Sequence, residues 1–115
     1  MRYRSKFEQR IASQIPTAAY ETLKIPFTQP SKSRTYTPDF VLTNGVVLEV
    51  KGLLSADDRA KMIWVKQQHP ELDIRFVFQR ASNPINKESK TTYAAWAEAN
   101  GFLWCEGTVP KGWVQ

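Results

Sequence analysis

Between Tyr36 and Lys51 the chain reads as two alternating apolar runs hinged on Thr43-Asn44-Gly45, and no other stretch restricts the fold as much. Period-two alternation on both sides of a short Asn-Gly-containing break indicates a β-hairpin. Two registers are open. A two-residue loop at Asn44-Gly45 pairs Thr43 with Val46 and sets Asp39 opposite Val50. A three-residue loop, with Gly45 left-handed in a bulge, pairs Leu42 with Val46; Asp39 then faces Glu49 and Thr37 faces Lys51. The apolar pattern favours the second, because Phe40, Leu42, Val46, Leu48 and Val50 then share one face. The first splits that set and buries Asp39 or Glu49 among apolar neighbours, a cost of several kcal/mol.

Around the hairpin the pattern predicts an α/β chain, a mixed sheet flanked by helices in the order α-β-β-β-α-β-α-β. Phe7, Ile11 and Ile15 make a helical stripe over about Ser5 to Ile15. Ser5 and Glu8 have capping-box spacing, and Pro16 ends the run. Ala18 to Ile25 reads as extended, and Pro26 to Arg34 as a polar, proline-flanked connector. A second helix is expected from about Ala56 to Gln68, with Ser55 as N-cap and Asp57 and Asp58 against its dipole. Ile74 to Gln79 reads as a strand, Tyr93 to Asn100 as a helix closed by Gly101, Phe102 to Cys105 as a short strand, and Pro110 to Trp113 as a final helical turn.

The 115 residues suit one domain with a modest core. No apolar run approaches a membrane span, and no signal-peptide core follows the basic start, so a cytoplasmic location is expected. Cys105 is the single cysteine and His69 the single histidine. That excludes an intrachain disulfide and argues against a structural zinc site. The formal charge of +5 favours an anionic partner such as nucleic acid.

The preferred register brings chemistry together. Glu49 and Lys51 share one face of their strand, with Asp39 across from Glu49. Two hard oxygen ligands on facing strands suit Mg²⁺, which keeps several waters and takes up phosphate oxygens. A cation pair at such a site stabilises the attacking and leaving oxygens of phosphodiester hydrolysis. Lys51 would orient the nucleophile and offset charge on phosphorus, and the Val50 carbonyl is a candidate extra ligand. A Glu-x-Lys taken alone is most often an exposed strand edge. What sets this one apart is Pro38-Asp39 placed across the hairpin.

Pro38-Asp39, Glu49 and Lys51 match the PD-(D/E)XK nuclease signature. The longer runs are more specific: Tyr36-Thr37-Pro38-Asp39-Phe40, Asn44-Gly45, Glu49-Val50-Lys51-Gly52-Leu53, Asp57-Asp58-Arg59, and Gln68-His69-Pro70-Glu71-Leu72-Asp73-Ile74-Arg75 with Val77-Phe78 behind it. Together they closely resemble the phage endonuclease I family of Holliday-junction resolvases, over about Phe7 to Trp113. The resemblance implies a restriction-endonuclease-like core in an intertwined, domain-swapped homodimer. It implies resolution of four-way and other branched DNA by paired nicks, with Mg²⁺ or Mn²⁺ as cofactor, one or two ions per site. It also implies a phage origin, and hence the host-cell cytoplasm. Asp39, Glu49 and Lys51 match the family's catalytic carboxylates and lysine. Glu8 matches an acidic residue donated by the partner chain, although a helix cap alone also accounts for a glutamate there. On this reading the segment of about 1–25 is swapped, 26–34 bridges, and about 35–115 is the catalytic core. The sequence given ends at Gln115 without the family's basic C-terminal extension, so weaker and more salt-sensitive junction binding is expected.

Candidate phosphate contacts are Arg2, Arg4 and Lys6 at the start, Lys32 and Arg34 on the connector, Arg59, Lys61 and Lys66 on the second helix, and Arg80, Lys87 and Lys90 in the later loop. Arg59, beside Asp58, is either a phosphate clamp or a local ion-pair partner. Trp64, Trp96, Trp104 and Trp113 read as core residues rather than base-stacking platforms, and His69 as a helix-end residue. Two other readings remain: a PD-(D/E)XK nuclease acting on linear duplex, and a DNA-binding protein without catalysis. Intact Asp39, Glu49 and Lys51 count against the latter.

Overall fold

In the computed structural model, which describes residues 3–29 and 32–115, Ser5 opens helix α1 (Lys6–Gln14) by accepting a hydrogen bond from the Glu8 N–H at 3.0 Å. The reciprocal half of the expected capping box is absent. The Glu8 carboxylate accepts instead from the Arg4 N–H at 3.1 Å and from the Tyr20 hydroxyl at 3.4 Å. Phe7, Ile11, Ala12 and Ile15 are buried, as the stripe requires. Arg2 lies outside the described residues.

Strands β1 (Ala19–Tyr20), β4 (Phe40–Val41), β5 (Val47–Lys51), β6 (Ile74–Phe78) and β7 (Leu103–Glu106) form one sheet in the order β1-β4-β5-β6-β7. The β1–β4 and β4–β5 pairs are antiparallel, and β5–β6 and β6–β7 are parallel. The parallel pairs need crossovers, supplied by helices α2 (Ala56–Gln68) and α3 (Tyr93–Ala99). Helix α2 is closed at its start by a full capping box between Ser55 and Asp58, and His69 caps its end.

The hairpin has the three-residue register. Phe40 pairs with Leu48 and Val41 with Val47, and the Leu42 N–H donates to the Val46 carbonyl at 2.8 Å. Gly45 has a φ of +90°, the left-handed turn that this register demands. Both faces of the sheet are covered. Phe40, Leu42, Val46, Leu48 and Val50 pack on the α1 side with Ile11 and Val77. Val47, Phe76 and Phe78 face the α2–α3 side with Met62, Val65, Trp96 and Phe102.

Residues 25–29 and 32–36 form a second, two-stranded sheet of β2 (Ile25–Gln29) and β3 (Lys32–Tyr36) rather than an open connector. Two prolines and a polar run disguise the strands, since only Ile25, Phe27 and Tyr36 are buried. The hairpin is latched to the end of α2. The Gln68 side chain both accepts from the Thr28 N–H and donates to the Thr28 carbonyl, each at 2.6 Å, and His69 contacts the Pro26 carbonyl. The tryptophans serve the cores: Trp96 is buried, Trp64 and Trp104 pack against the same cluster, and Trp113 packs on the α1 side. Among the described residues no helix is long and apolar enough to cross a membrane.

A Cβ on Gly45 would meet nothing within 4 Å, so only backbone strain opposes a side chain there. Gly45→Ala is expected to lower unfolding free energy in urea by about 1–2 kcal/mol while leaving the m-value unchanged. A loss near zero contradicts the left-handed turn.

Candidate active site

Asp39 lies immediately before β4, and the hairpin register carries it opposite Glu49 on β5. Its Oδ2 accepts from the Val50 N–H at 2.8 Å, which ties the carboxylate across the strand pair. Asp39 is 5% exposed and Glu49 3%, so two acids sit at facing positions inside the protein. Burial, and then the Glu49 charge, push Asp39 up to about 8. Burial also raises Glu49 above its ordinary value, against the opposing pull of Lys51 and the Tyr36 hydroxyl. Close-set buried acids of this kind resist joint ionisation unless a cation joins them.

Glu8 and Glu21 complete the acidic group. One carboxylate oxygen from each of Glu8, Glu21 and Asp39 lies within 4.8 Å of the other two. Hard oxygens this close can converge on one divalent cation, so the donor set fits a hard, oxygen-seeking metal ion. Helix α1 brings Glu8 to Asp39 within a single chain. The sequence pattern did not point to Glu21. It enters because β1 pairs with β4, and its N–H donates to the Asp39 carbonyl at 3.0 Å. Its φ of 49° is left-handed for a residue with a side chain, a strain typical of functional positions. Nothing local in the sequence signals that long-range pairing.

Lys51 sits at the end of β5 with its Nζ 3.6 Å from Glu49 Oε1 and 3.5 Å from Asp58 Oδ1. Burial lowers its proton affinity, but Glu49, Asp58 and Asp39 together raise it above the ordinary lysine value, so the ammonium persists at neutral pH. The capping box that opens α2 therefore also supplies a carboxylate that holds the lysine. Val50 lines the same cleft of 450 Å³ as Arg4, Lys6, Glu8, Asp39 and Lys51.

The expected phosphate contacts separate into two groups. Arg59 donates to the Leu54 and Ile85 carbonyls at 2.9 and 3.1 Å, tying the later loop to α2 rather than pairing with Asp58. Lys66 donates to the Gly101 carbonyl at 3.2 Å and lies 4.8 Å from the Phe102 ring centroid. Both are committed to the fold. Arg4 pairs with Glu21 at 2.8 Å at the cleft rim, beside exposed Lys6. Arg34 and Lys61 line a neighbouring cleft of 340 Å³ between the β2–β3 hairpin and α2. Lys32, Arg80, Lys87 and Lys90 are exposed.

The family model described as phage endonuclease I matches residues 1–115. Endonuclease I of Escherichia phage T7 is 38% identical over 117 residues, covering 98% of this chain and 78% of the relative. Endodeoxyribonuclease 1 of Enterobacteria phage T3 is likewise 38% identical over 117 residues, covering 98% of this chain and 77% of the relative.

The buried acids carry a stability consequence. Asp39 moves from 3.8 to about 8 on folding, so the folded protein binds more protons across that interval and loses stability as pH rises through it. Asp39→Asn keeps an oxygen for the Val50 N–H and removes the charge. In metal-free urea denaturation near pH 8 it is expected to be more stable than the parent by on the order of 1–3 kcal/mol, with the gap closing towards pH 4. A variant that is less stable at both pH values contradicts this electrostatic picture.

Proposed function

The chain belongs to the phage endonuclease I family, a family of DNA endonucleases, and from that premise we propose that it resolves four-way and other branched DNA by paired nicks, with Mg²⁺ or Mn²⁺ as cofactor. The observation that carries the reading is the convergence of Glu8, Glu21 and Asp39, of which Glu8 and Asp39 line one cleft with Lys51, the partner of buried Glu49.

The proposed roles follow from that geometry. Asp39, with Glu8 and Glu21, would hold the cation, and Glu49 and the Val50 carbonyl are further candidate ligands. Those carboxylates would hold a divalent cation able to supply Lewis-acid polarisation and charge neutralisation to the scissile phosphate. Lys51, kept protonated between Glu49 and Asp58, stabilises negative charge that builds on the phosphoryl oxygens during attack. Arg4 and Lys6 at the rim, with Arg34, Lys61 and the exposed lysines of the later loop, supply phosphate contacts that position DNA without reading its sequence.

Two nicks at one junction call for two sites in a fixed relation, which a two-fold homodimer provides. We take the exchanged segment to be about 1–25, with residues 26–34, whose strands pair as the β2–β3 hairpin within one chain, opening to cross between subunits in the dimer. In support, α1 docks on the sheet through one continuous apolar stripe, Phe7, Ile11 and Ile15, a contact that serves equally well between chains. A phage-encoded enzyme of this kind meets its DNA in the host-cell cytoplasm.

Cleavage of an end-labelled four-way junction is compared with its matched linear duplex, with and without Mg²⁺. Metal-dependent paired nicks near the branch point are expected, with the duplex largely intact. Glu49→Ala and Lys51→Ala are each expected to lower the rate by about 100-fold or more while preserving junction binding in Ca²⁺. Equal cutting of both substrates points instead to a general duplex nuclease. Junction binding without any cutting points to a non-catalytic protein, and a monomer in sedimentation removes the exchanged dimer.

A further inference from the structure

Tyr36 closes β3 three residues before Asp39 and is 1% exposed. Its ring belongs to the buried core cluster that includes Val47 and Met62, and Ile25 pairs with it across the hairpin, a setting that would accept phenylalanine. The hydroxyl therefore calls for a reason, since burying it uncompensated is costly. Its partner is not a nearby carbonyl but Glu49 Oε2, at 2.5 Å. This is a short hydrogen bond from a neutral donor to a carboxylate, among the stronger kinds that proteins make.

The bond divides the carboxylate. Oε2 is held by the phenol, while Oε1 is the oxygen that lies 3.6 Å from Lys51 Nζ, at the cleft. The phenol is itself held in place. Lys61 Nζ lies 5.8 Å from the centre of its ring, and β3 pairs with β2, which Gln68 latches to the end of α2. The orientation of Glu49 is thus tied to the position of a hairpin that contributes none of the site's carboxylates or its lysine.

We infer that Tyr36 is a positioning residue, whose hydroxyl pins one Glu49 oxygen so that the other is presented to Lys51 and to the bound cation. The inference rests on the endonuclease reading above. It makes the β2–β3 hairpin part of the catalytic apparatus, because displacement of β3 releases Glu49.

Tyr36→Phe retains the ring and its contacts and removes only the hydroxyl. Full-length protein is titrated with Mn²⁺ calorimetrically in the absence of DNA, and junction cleavage is followed in parallel. The variant is expected to keep the parent's far-UV circular dichroism and its junction affinity in Ca²⁺. Mn²⁺ affinity and kcat are expected to fall by about 10–100-fold, as is usual when a hydrogen bond behind a metal ligand is lost. High Mn²⁺ should restore part of the rate, which a general packing defect would not allow. Parent-like Mn²⁺ affinity and kcat overturn the inference. So does an unfolded variant, because the hydroxyl would then serve the fold. Glu49→Ala, run alongside, separates the two levels. If it is defective while Tyr36→Phe behaves as the parent, this inference alone fails; if Glu49→Ala itself binds Mn²⁺ and cuts as the parent does, the site assignment fails with it.

Discussion

Burial of Asp39 and Glu49 at facing positions of a strand pair is the constraint around which the rest of the structure is arranged. A sheet covered on both faces offers little water to a carboxylate, and two acids side by side repel as well. The surroundings answer that cost piece by piece. The Val50 N–H meets Asp39, the Tyr36 hydroxyl meets Glu49, and Lys51 is drawn in as counter-charge. What remains is more negative charge on Glu8, Glu21 and Asp39 than the Arg4 guanidinium beside Glu21 offsets, so the group could hold a divalent cation.

The two helices that approach this point contribute through their first turns. In α1, Ser5 caps the helix and leaves Glu8 free to turn towards Tyr20 and Asp39. In α2, the Ser55–Asp58 box is complete, and Asp58 uses its second oxygen to hold Lys51. A capping residue so placed is both a stability device and a part of the site. That overlap explains why a glutamate or aspartate in a first turn is hard to interpret from local sequence.

The positive charge of the chain is similarly divided. Arg59 and Lys66 are spent on backbone carbonyls that would otherwise be left over where loops meet α2. Arg75 is paired with Asp73 at 2.7 Å and sits over Trp113. Among the described residues, the cations left to meet DNA include Lys6 at the cleft rim and others on β3, on α2 and in the loop after β6. Net charge indicates an anionic partner, but only the hydrogen bonds show which cations are available to it.

The amino-acid pattern alone determined the parts whose physics is local. Alternation around Thr43-Asn44-Gly45 implied the three-residue register, because the other choice would have placed acids in the core. Ser55 and Pro70 bounded α2 at the residues observed, and Phe7, Ile11 and Ile15 marked the buried face of α1. Asp39, Glu49 and Lys51 were legible as a group because a hairpin places them by counting. The tertiary structure decided whatever depended on pairing between distant segments. The pairing of β1 with β4 brought Glu21 to Asp39, the pairing of β2 with β3 put Tyr36 against Glu49, and the packing of α2 gave Asp58 to Lys51. Side-chain period and turn chemistry act over a few residues and are written in the sequence. Long-range contacts are selected by the burial of whole faces, so no short stretch encodes them.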